Sequence, residues 1–359
     1  MSNFLHSRPS RAEPAPAGRT WGSRALGAHA GRACLLLACG LASACGAPDA
    51  AAPGAPEAGA GTDGAADAAP ERDVFDPAWG IAACVDQPEP AAVQPGAHAV
   101  DRHEGSVASP TGEIPVRLFA PRAVLAAPLV VVFPGGTIHG SRYDWLGELL
   151  ASHGHAVLIA QRTGSGLEPT WATLAAEAVT TGDWATLADP GSLLLVGHSY
   201  GGTAALCNAS PDTCPLPFQG SPPTGLVGVL TFASHAQPPA DPTASTPMVA
   251  AVPVALVGGG RDARVTPEEI GATWARLSGP TWRARAEIAG ANHYQMIDCL
   301  EPEVDHYALD QAAEIAHSVA LERAAVVLLA FAEAVRSGDP GPLGEAGAGG
   351  GIVVEVAAP

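Results

Sequence analysis

The pentapeptide Gly197-His198-Ser199-Tyr200-Gly201 constrains the fold of this chain more than any other stretch, because the apolar run Ser192–Val196 leads straight into it and a helical run opens near Gly202. A serine at a sharp strand-to-helix turn needs small residues two positions before and two after, since the strained backbone there leaves no space for side chains. Gly197 and Gly201 supply that space and present Ser199 at the apex of the turn. The strand before it reads as a central one. Leu193–Val196 lacks the polar alternation of a strand with one wet face, and Leu129–Phe133 lacks it too.

Around this anchor, apolar β-rich runs alternate with helical patterns. The strand-like runs are Glu113–Phe119, Pro128–Phe133, Ala156–Ala160, Ser192–Val196, Gly225–Phe232, Val252–Val257 and Arg283–Ile288. Between them Tyr143–Ser152, Thr170–Thr180, Gly202–Cys207, Pro267–Leu277 and Ala308–Val335 read as helices or helix pairs. Such alternation predicts an α/β fold, a mostly parallel sheet with helices on both faces. The ends differ in composition from this body. Residues 45–74 read as a flexible Gly/Ala/Pro tether, residues 75–336 as the folded domain, and residues 337–359, again Gly/Ala/Pro-rich, as a flexible tail.

Residues 1–44 read as an export signal. Five arginines (Arg8, Arg11, Arg19, Arg24, Arg32) precede the short apolar run Ala33–Leu41 and the small residues Ala42-Ser43-Ala44. That run is too short to span a bilayer, which takes about 20 residues. Leu41-Ala42-Ser43-Ala44-Cys45 also resembles the lipid-attachment motif of bacterial lipoproteins, so two outcomes stand: a chain lipidated at Cys45 in the cell envelope, or simple secretion. Beyond residue 45 the chain carries 13 arginines, no lysine and 35 acidic residues, a net charge of −22. A surface so acidic repels phosphate backbones and argues against nucleic-acid partners. Four cysteines follow Cys45. In an exported chain they suggest disulfides; Cys207 with Cys214 is the expected pair because Pro211-Asp212 can turn the chain back, which leaves Cys84 with Cys299.

A serine hydroxyl is a weak nucleophile until a base takes its proton, and the base needs an orienting acid. Val252–Val257 ends in Gly258-Gly259-Gly260-Arg261-Asp262, and Arg283–Ile288 ends in Gly290-Ala291-Asn292-His293. Asp262 and His293 therefore sit on loops after consecutive late strands, in the chain order serine, acid, histidine. Asp241 and Glu268 compete as acids, His235 and His139 as bases; His198 is expected to pack away from the cleft. Oxyanion donors are expected from the amide of Tyr200 and, after the strand Pro128–Phe133, from Gly136 or Thr137 in Pro134-Gly135-Gly136-Thr137. His153, His155, His306 and His317 lack metal-ligand spacing, so no metal and no cofactor is implied.

Over about residues 110–300 these motifs resemble a cluster of α/β-hydrolases: the dienelactone hydrolases, chlorophyllases, bacterial cutinases and platelet-activating-factor acetylhydrolases. Pro134-Gly135-Gly136-Thr137 looks like the P-G-aromatic-T loop of the cutinases, and Leu150-Ala151-Ser152-His153-Gly154-His155-Ala156-Val157 is similar to their helix-to-strand join. Gly290-Ala291-Asn292-His293-Tyr294 resembles their histidine loop, and Asp262 matches their late-strand acid. The resemblance implies an α/β-hydrolase fold and ester hydrolysis through Ser199, Asp262 and His293. A lipase, a thioesterase or a surface protein that only binds a small-molecule ligand are the competing expectations. The chain departs from the cutinases at Gly136, where they carry an aromatic residue, and at Tyr200, where methionine is usual. Ile138, His139, Tyr143 and Trp145 are expected to wall a compact pocket favouring short soluble esters.

Overall fold

A computed structural model of the chain describes residues 94–214, 216, 221–236, 247–279, 281–299 and 310–358. The export signal, Cys45, the tether, Cys84 and Asp241 lie outside these residues. Among the described residues eleven strands occur: β1 (Val100–Ser109), β2 (Gly112–Pro121), β3 (Ala127–Phe133), β4 (Ala156–Ala160), β5 (Ala188–His198), β6 (Leu226–Phe232), β7 (Met248–Val249), β8 (Val254–Gly259), β9 (Leu277–Ser278), β10 (Arg283–Ile288) and β11 (Ile352–Ala357). The helices are α1 (Asp144–Ser152), α2 (Trp171–Ala178), α3 (Tyr200–Ala209), α4 (Pro267–Arg276), α5 (His317–Ser337) and α6 (Gly341–Ala346).

Nine strands form one sheet in the order β1-β2-β4-β3-β5-β6-β8-β10-β11, and β7 pairs with β9 apart from it. From β4 through β10 neighbours run parallel, while β1–β2, β2–β4 and β10–β11 are antiparallel. The fold is α/β with a mostly parallel sheet, as the alternating runs predict. Alternate residues of the central strands feed opposite faces. Val130 and Val132 pack with α1, α5 and α6 through Leu150, Leu328, Phe331 and Leu343. Leu129, Val131 and Phe133 pack with α2, α3 and α4 through Trp171, Leu206 and Ile270. Burial of each such side chain contributes about 1.5–3 kcal/mol, and both faces are apolar because both are covered.

The expected flexible tail at 337–359 is a correction. After α5 ends on Gly338, a left-handed cap, α6 buries Leu343 completely and β11 pairs along all of β10, from Ile288↔Ile352 to Arg283↔Ala357. The glycines that read as disorder form the turn: Gly350 and Gly351 hold φ +79 and +73, and the β-branched Ile352-Val353-Val354 then follows as an edge strand. At the opposite edge, β1 has no sequence counterpart among the expected strands, since only Val107 of its ten residues is buried. The helix expected over Ala308–Val335 starts at His317.

Cys207, on α3, is disulfide-bonded to Cys214 across the turn Pro211–Thr213, with Cα atoms 4.7 Å apart. Cys299 is also disulfide-bonded. Among the described residues no helix is long and apolar enough to cross a membrane.

Burial pushes the pKa of His155, His198 and His317 below the ordinary histidine value. The unfolded chain therefore binds protons that the folded chain refuses, and stability present above about pH 6.5 is lost as the pH falls through the window beneath it. The expected slope is at most about 1.4 kcal/mol per pH unit for each histidine. Urea titrations at pH 7.5, 6.5 and 5.5 measure it; a midpoint that rises on acidification contradicts the neutral burial of these rings.

Candidate functional site

The chain passes from β3 to β4 on one side of β3 and returns to β5 on the other, so the strand order reverses between β3 and β5. In an open parallel sheet the helices diverge at such a point and leave a crevice beyond the carboxyl ends of the strands. Phe133 and Gly197 are register partners at those ends, so the loop with Gly136 and the turn with Ser199 leave the sheet side by side.

Ser199 has φ 52 and ψ −123, a conformation side-chain-bearing residues adopt only under constraint, at a cost of order 1–3 kcal/mol. Its amide donates to Phe232 O on β6 at 2.9 Å, and its carbonyl accepts from Thr203 N at 3.1 Å. Both flanking glycines are required by close approach. A Cβ on Gly197 would lie 2.4 Å from Gly201 O, and one on Gly201 would lie 2.3 Å from both Phe133 O and Pro134 O. Ser199 is half-buried and caps the N-terminus of α3, where the helix dipole favours negative charge.

The loop after β3 is held by its carbonyls. Gly135 O accepts from Gly164 N at 2.9 Å and Ile138 N at 3.1 Å, and Gly136 O accepts from Ser165 N at 2.8 Å. Among the described residues no hydrogen bond engages the amides of Gly136, Thr137 or Tyr200. Gly136 borders Tyr200: a Cβ there would meet Tyr200 Cβ at 3.4 Å and nothing closer.

Asp262, after β8, and His293, after β10, are both buried and joined by a hydrogen bond of 2.9 Å between Asp262 Oδ2 and His293 Nδ1. Asp262 Oδ1 accepts from the amides of Arg264 at 2.8 Å and Val265 at 2.7 Å, which fixes the plane of the carboxylate. A carboxylate can only accept, so Nδ1 carries the ring proton and Nε2 is left as the basic nitrogen. The elbow reaches the histidine loop one residue before Ser199, where His198 Nε2 donates to His293 O at 3.0 Å and the two rings lie 4.9 Å apart.

A second carboxylate, absent from the sequence reading, completes the arrangement. Asp310 Oδ2 accepts from His293 N at 2.7 Å, while its Oδ1 accepts from Ala263 N and Gln311 N, each at 2.9 Å. One side chain thus ties the loop bearing Asp262 to the loop bearing His293. Burial pushes the Asp310 carboxyl above its ordinary pKa, the Asp262 charge pushes the same way, and the three amide donors oppose both. No local pattern distinguishes this aspartate; its role exists only because two loops meet there.

Glu268, His139 and His235 are the rival residues among those described. Glu268 is exposed on α4 and lines a groove of about 320 Å³ with Gly258, Pro267 and Arg285. His139 caps the turn Gly140–Tyr143 through Ser141, and the carbonyl of His235 accepts from Thr203 Oγ1 at 2.8 Å. Of the expected pocket wall, Ile138, Tyr143 and Trp145 are buried in the core, with Tyr143 Oη bonded to Gly135 N and Trp145 Nε1 to Met296 O. Among the described residues no group of three or more His, Cys, Asp or Glu side chains is placed to hold a metal ion.

No protein-family model matches this chain, and no curated protein shows significant similarity to it. The site combines a strained serine, an imidazole whose tautomer is set by a buried carboxylate, and unengaged amides on two adjoining turns.

Proposed function

We propose that the chain is a serine hydrolase of the α/β-hydrolase fold that cleaves carboxylic esters through Ser199, His293 and Asp262. The observation that carries this reading is the buried Asp262–His293 hydrogen bond, which turns Nδ1 to the carboxylate and leaves Nε2 to serve as the base, on the loops that follow the strained Ser199 in chain order. In the proposed cycle His293 Nε2 takes the Ser199 hydroxyl proton as Oγ bonds to the ester carbonyl carbon. The amides of Gly136 and Tyr200 stabilise the oxyanion, each worth on the order of 100–1000-fold in rate. The C–O bond to the alcohol then breaks, and the alcohol leaves with the proton held on His293. Water attacks the acyl-enzyme with the same base and releases the acid and free Ser199. Every group in the cycle comes from the chain, so no cofactor enters it.

The test is a fluorophosphonate probe on the purified protein together with hydrolysis of p-nitrophenyl acetate. Labelling at Ser199 with ester turnover is the expected result; an unlabelled, inactive protein leaves a ligand-binding module. Lipases and thioesterases share the machinery, and rates on long-chain and thioester substrates distinguish them. Export is proposed from the export-like segment at 1–44 and supported by the Cys207–Cys214 disulfide, a bond that persists in oxidising compartments. Attachment at Cys45 would be the chain's link to a membrane, and detergent partitioning lost in Cys45→Ser reads it out.

Gly136 bears on substrate size. It does not adopt positive φ, and a Cβ there meets only Tyr200, at van der Waals distance, so a side chain can start from this position without moving backbone. Gly136→Phe should fold with a melting temperature within about 2 °C of wild type. It should improve kcat/KM for aromatic esters over acetate by roughly two- to tenfold, the value of one added ring contact. A variant with unchanged preference means that the acyl or alcohol group does not pass over residue 136.

A further inference from the structure

We infer that Tyr143 and His198 are positioning residues for the ester hydrolysis proposed above, a buried polar bracket that holds the loop after β3, the Ser199 turn and the histidine loop in one relative geometry. The bracket is a run of three hydrogen bonds. Gly135 N donates to Tyr143 Oη at 2.9 Å, Tyr143 Oη and His198 Nδ1 lie 2.7 Å apart, and His198 Nε2 donates to His293 O at 3.0 Å. Its ends are thus the residue before Gly136 and the backbone of His293 itself.

One proton arrangement satisfies all three bonds. The Gly135 amide can only donate, so Tyr143 Oη accepts there. The His293 carbonyl can only accept, so Nε2 of His198 carries a proton. His198 is 2 % exposed, and burial together with the neighbouring His293 ring pushes its pKa well below the ordinary value, so the ring is neutral and Nδ1 is bare. The hydroxyl proton of Tyr143 then points to Nδ1. The polarity therefore runs one way, from Gly135 through Tyr143 to His198 and from His198 to His293. Packing around the bracket is tight. A Cβ on Gly135 would come within 2.9 Å of His198 Nδ1 and 3.1 Å of Tyr143 Oη, and Tyr143 is 1 % exposed.

Nothing in this bracket touches the reacting atoms; it acts by fixing where the Gly136 amide and the His293 ring stand relative to Ser199. Misplacement by about 1 Å of groups that must meet a transition state costs on the order of 100-fold. Tyr143→Phe keeps the ring and removes the link. In the full chain, kcat for p-nitrophenyl acetate should fall about 10- to 100-fold while KM changes less than about threefold, because the loss is of transition-state positioning. His198→Leu should behave alike, and the double variant should be no slower than the slower single one, since both break the same bracket.

A readout independent of turnover comes from two-bond 1H–15N spectra of the full chain labelled with 15N-histidine. They should report His198 as the neutral Nε2–H tautomer from pH 5 to 8, and in Tyr143→Phe, where the His293 carbonyl still takes the Nε2 proton, the tautomer should persist while the Nδ1 resonance shifts because it has lost its hydrogen-bond donor. A wild-type His198 that titrates in this range or carries its proton on Nδ1 overturns the inference, as does a Tyr143→Phe protein that melts earlier yet keeps its kcat. A wild type that hydrolyses no ester overturns the proposed function and the catalytic role of the pair with it. An active wild type with an intact kcat in Tyr143→Phe overturns this inference alone.

Discussion

Ser199→Ala should lower kcat for a soluble p-nitrophenyl ester by at least about 10⁴-fold, with no fluorophosphonate labelling left. The mechanism in question loses its only nucleophile, and what remains is the stabilisation offered by amides of Gly136 and Tyr200 to direct attack by water. The fold should not notice. The Ser199 side chain makes no hydrogen bond to any described residue, the backbone bonds to Phe232 and Thr203 do not involve it, and alanine meets the same strain at φ 52. The melting temperature should therefore stay within about 2 °C of wild type. Steady-state kinetics beside a thermal melt separates the outcomes, and a folded Ser199→Ala protein retaining a tenth of wild-type turnover rules Ser199 out as nucleophile.

Asp262→Asn is expected to cost about 10³- to 10⁴-fold in kcat, by a route the local geometry dictates. The amides of Arg264 and Val265 both donate to Oδ1. An asparagine must therefore place its carbonyl oxygen at that position and its NH₂ group at the Oδ2 position, against His293 Nδ1. The ring can meet a donor only by shifting its proton to Nε2, and it then has no lone pair for the Ser199 hydroxyl. KM should change little. Asp310→Asn makes the contrasting case, because both of its oxygens accept amide protons and an asparagine leaves one N–H facing another. Its larger effect should be on melting temperature, through a buried donor without an acceptor at about 1–3 kcal/mol. Kinetics and melts of the two variants side by side decide the assignment: an active Asp262→Asn beside an inactive, well-folded Asp310→Asn would move the acid to residue 310.

Several elements were legible from residue order because their signal is local. The runs at Ala156–Ala160 and Arg283–Ile288 match β4 and β10 residue for residue, since a short apolar run like the first and a polar/apolar alternation like the second need no distant partner to be read. The turn around Ser199 was legible for the same reason at Gly197, which meets the backbone of Gly201 within the elbow, whereas the need for glycine at 201 comes from the end of β3. The Cys207–Cys214 bond spans a turn that its own residues specify. Misreadings arose where composition stood in for contact. Gly347–Gly351 reads as tail but is the turn into β11, and β1 is missing from the expected strands because an edge strand buries only Val107.

What the sequence by itself determined is the alternation that makes an α/β sheet, the strained turn at Ser199, and the order in which Ser199, Asp262 and His293 leave their strands. What only the tertiary structure decided is which polar groups meet across those loops. Asp310 binds the amides of Ala263 and His293, Tyr143 turns inward to Gly135 and His198, and Glu268 faces outward on α4. The physical reason is range. Propensity and periodicity act over a turn or a strand, whereas a buried hydrogen bond joins residues such as His198 and His293, 95 apart in the chain, once the sheet has brought their strand ends together.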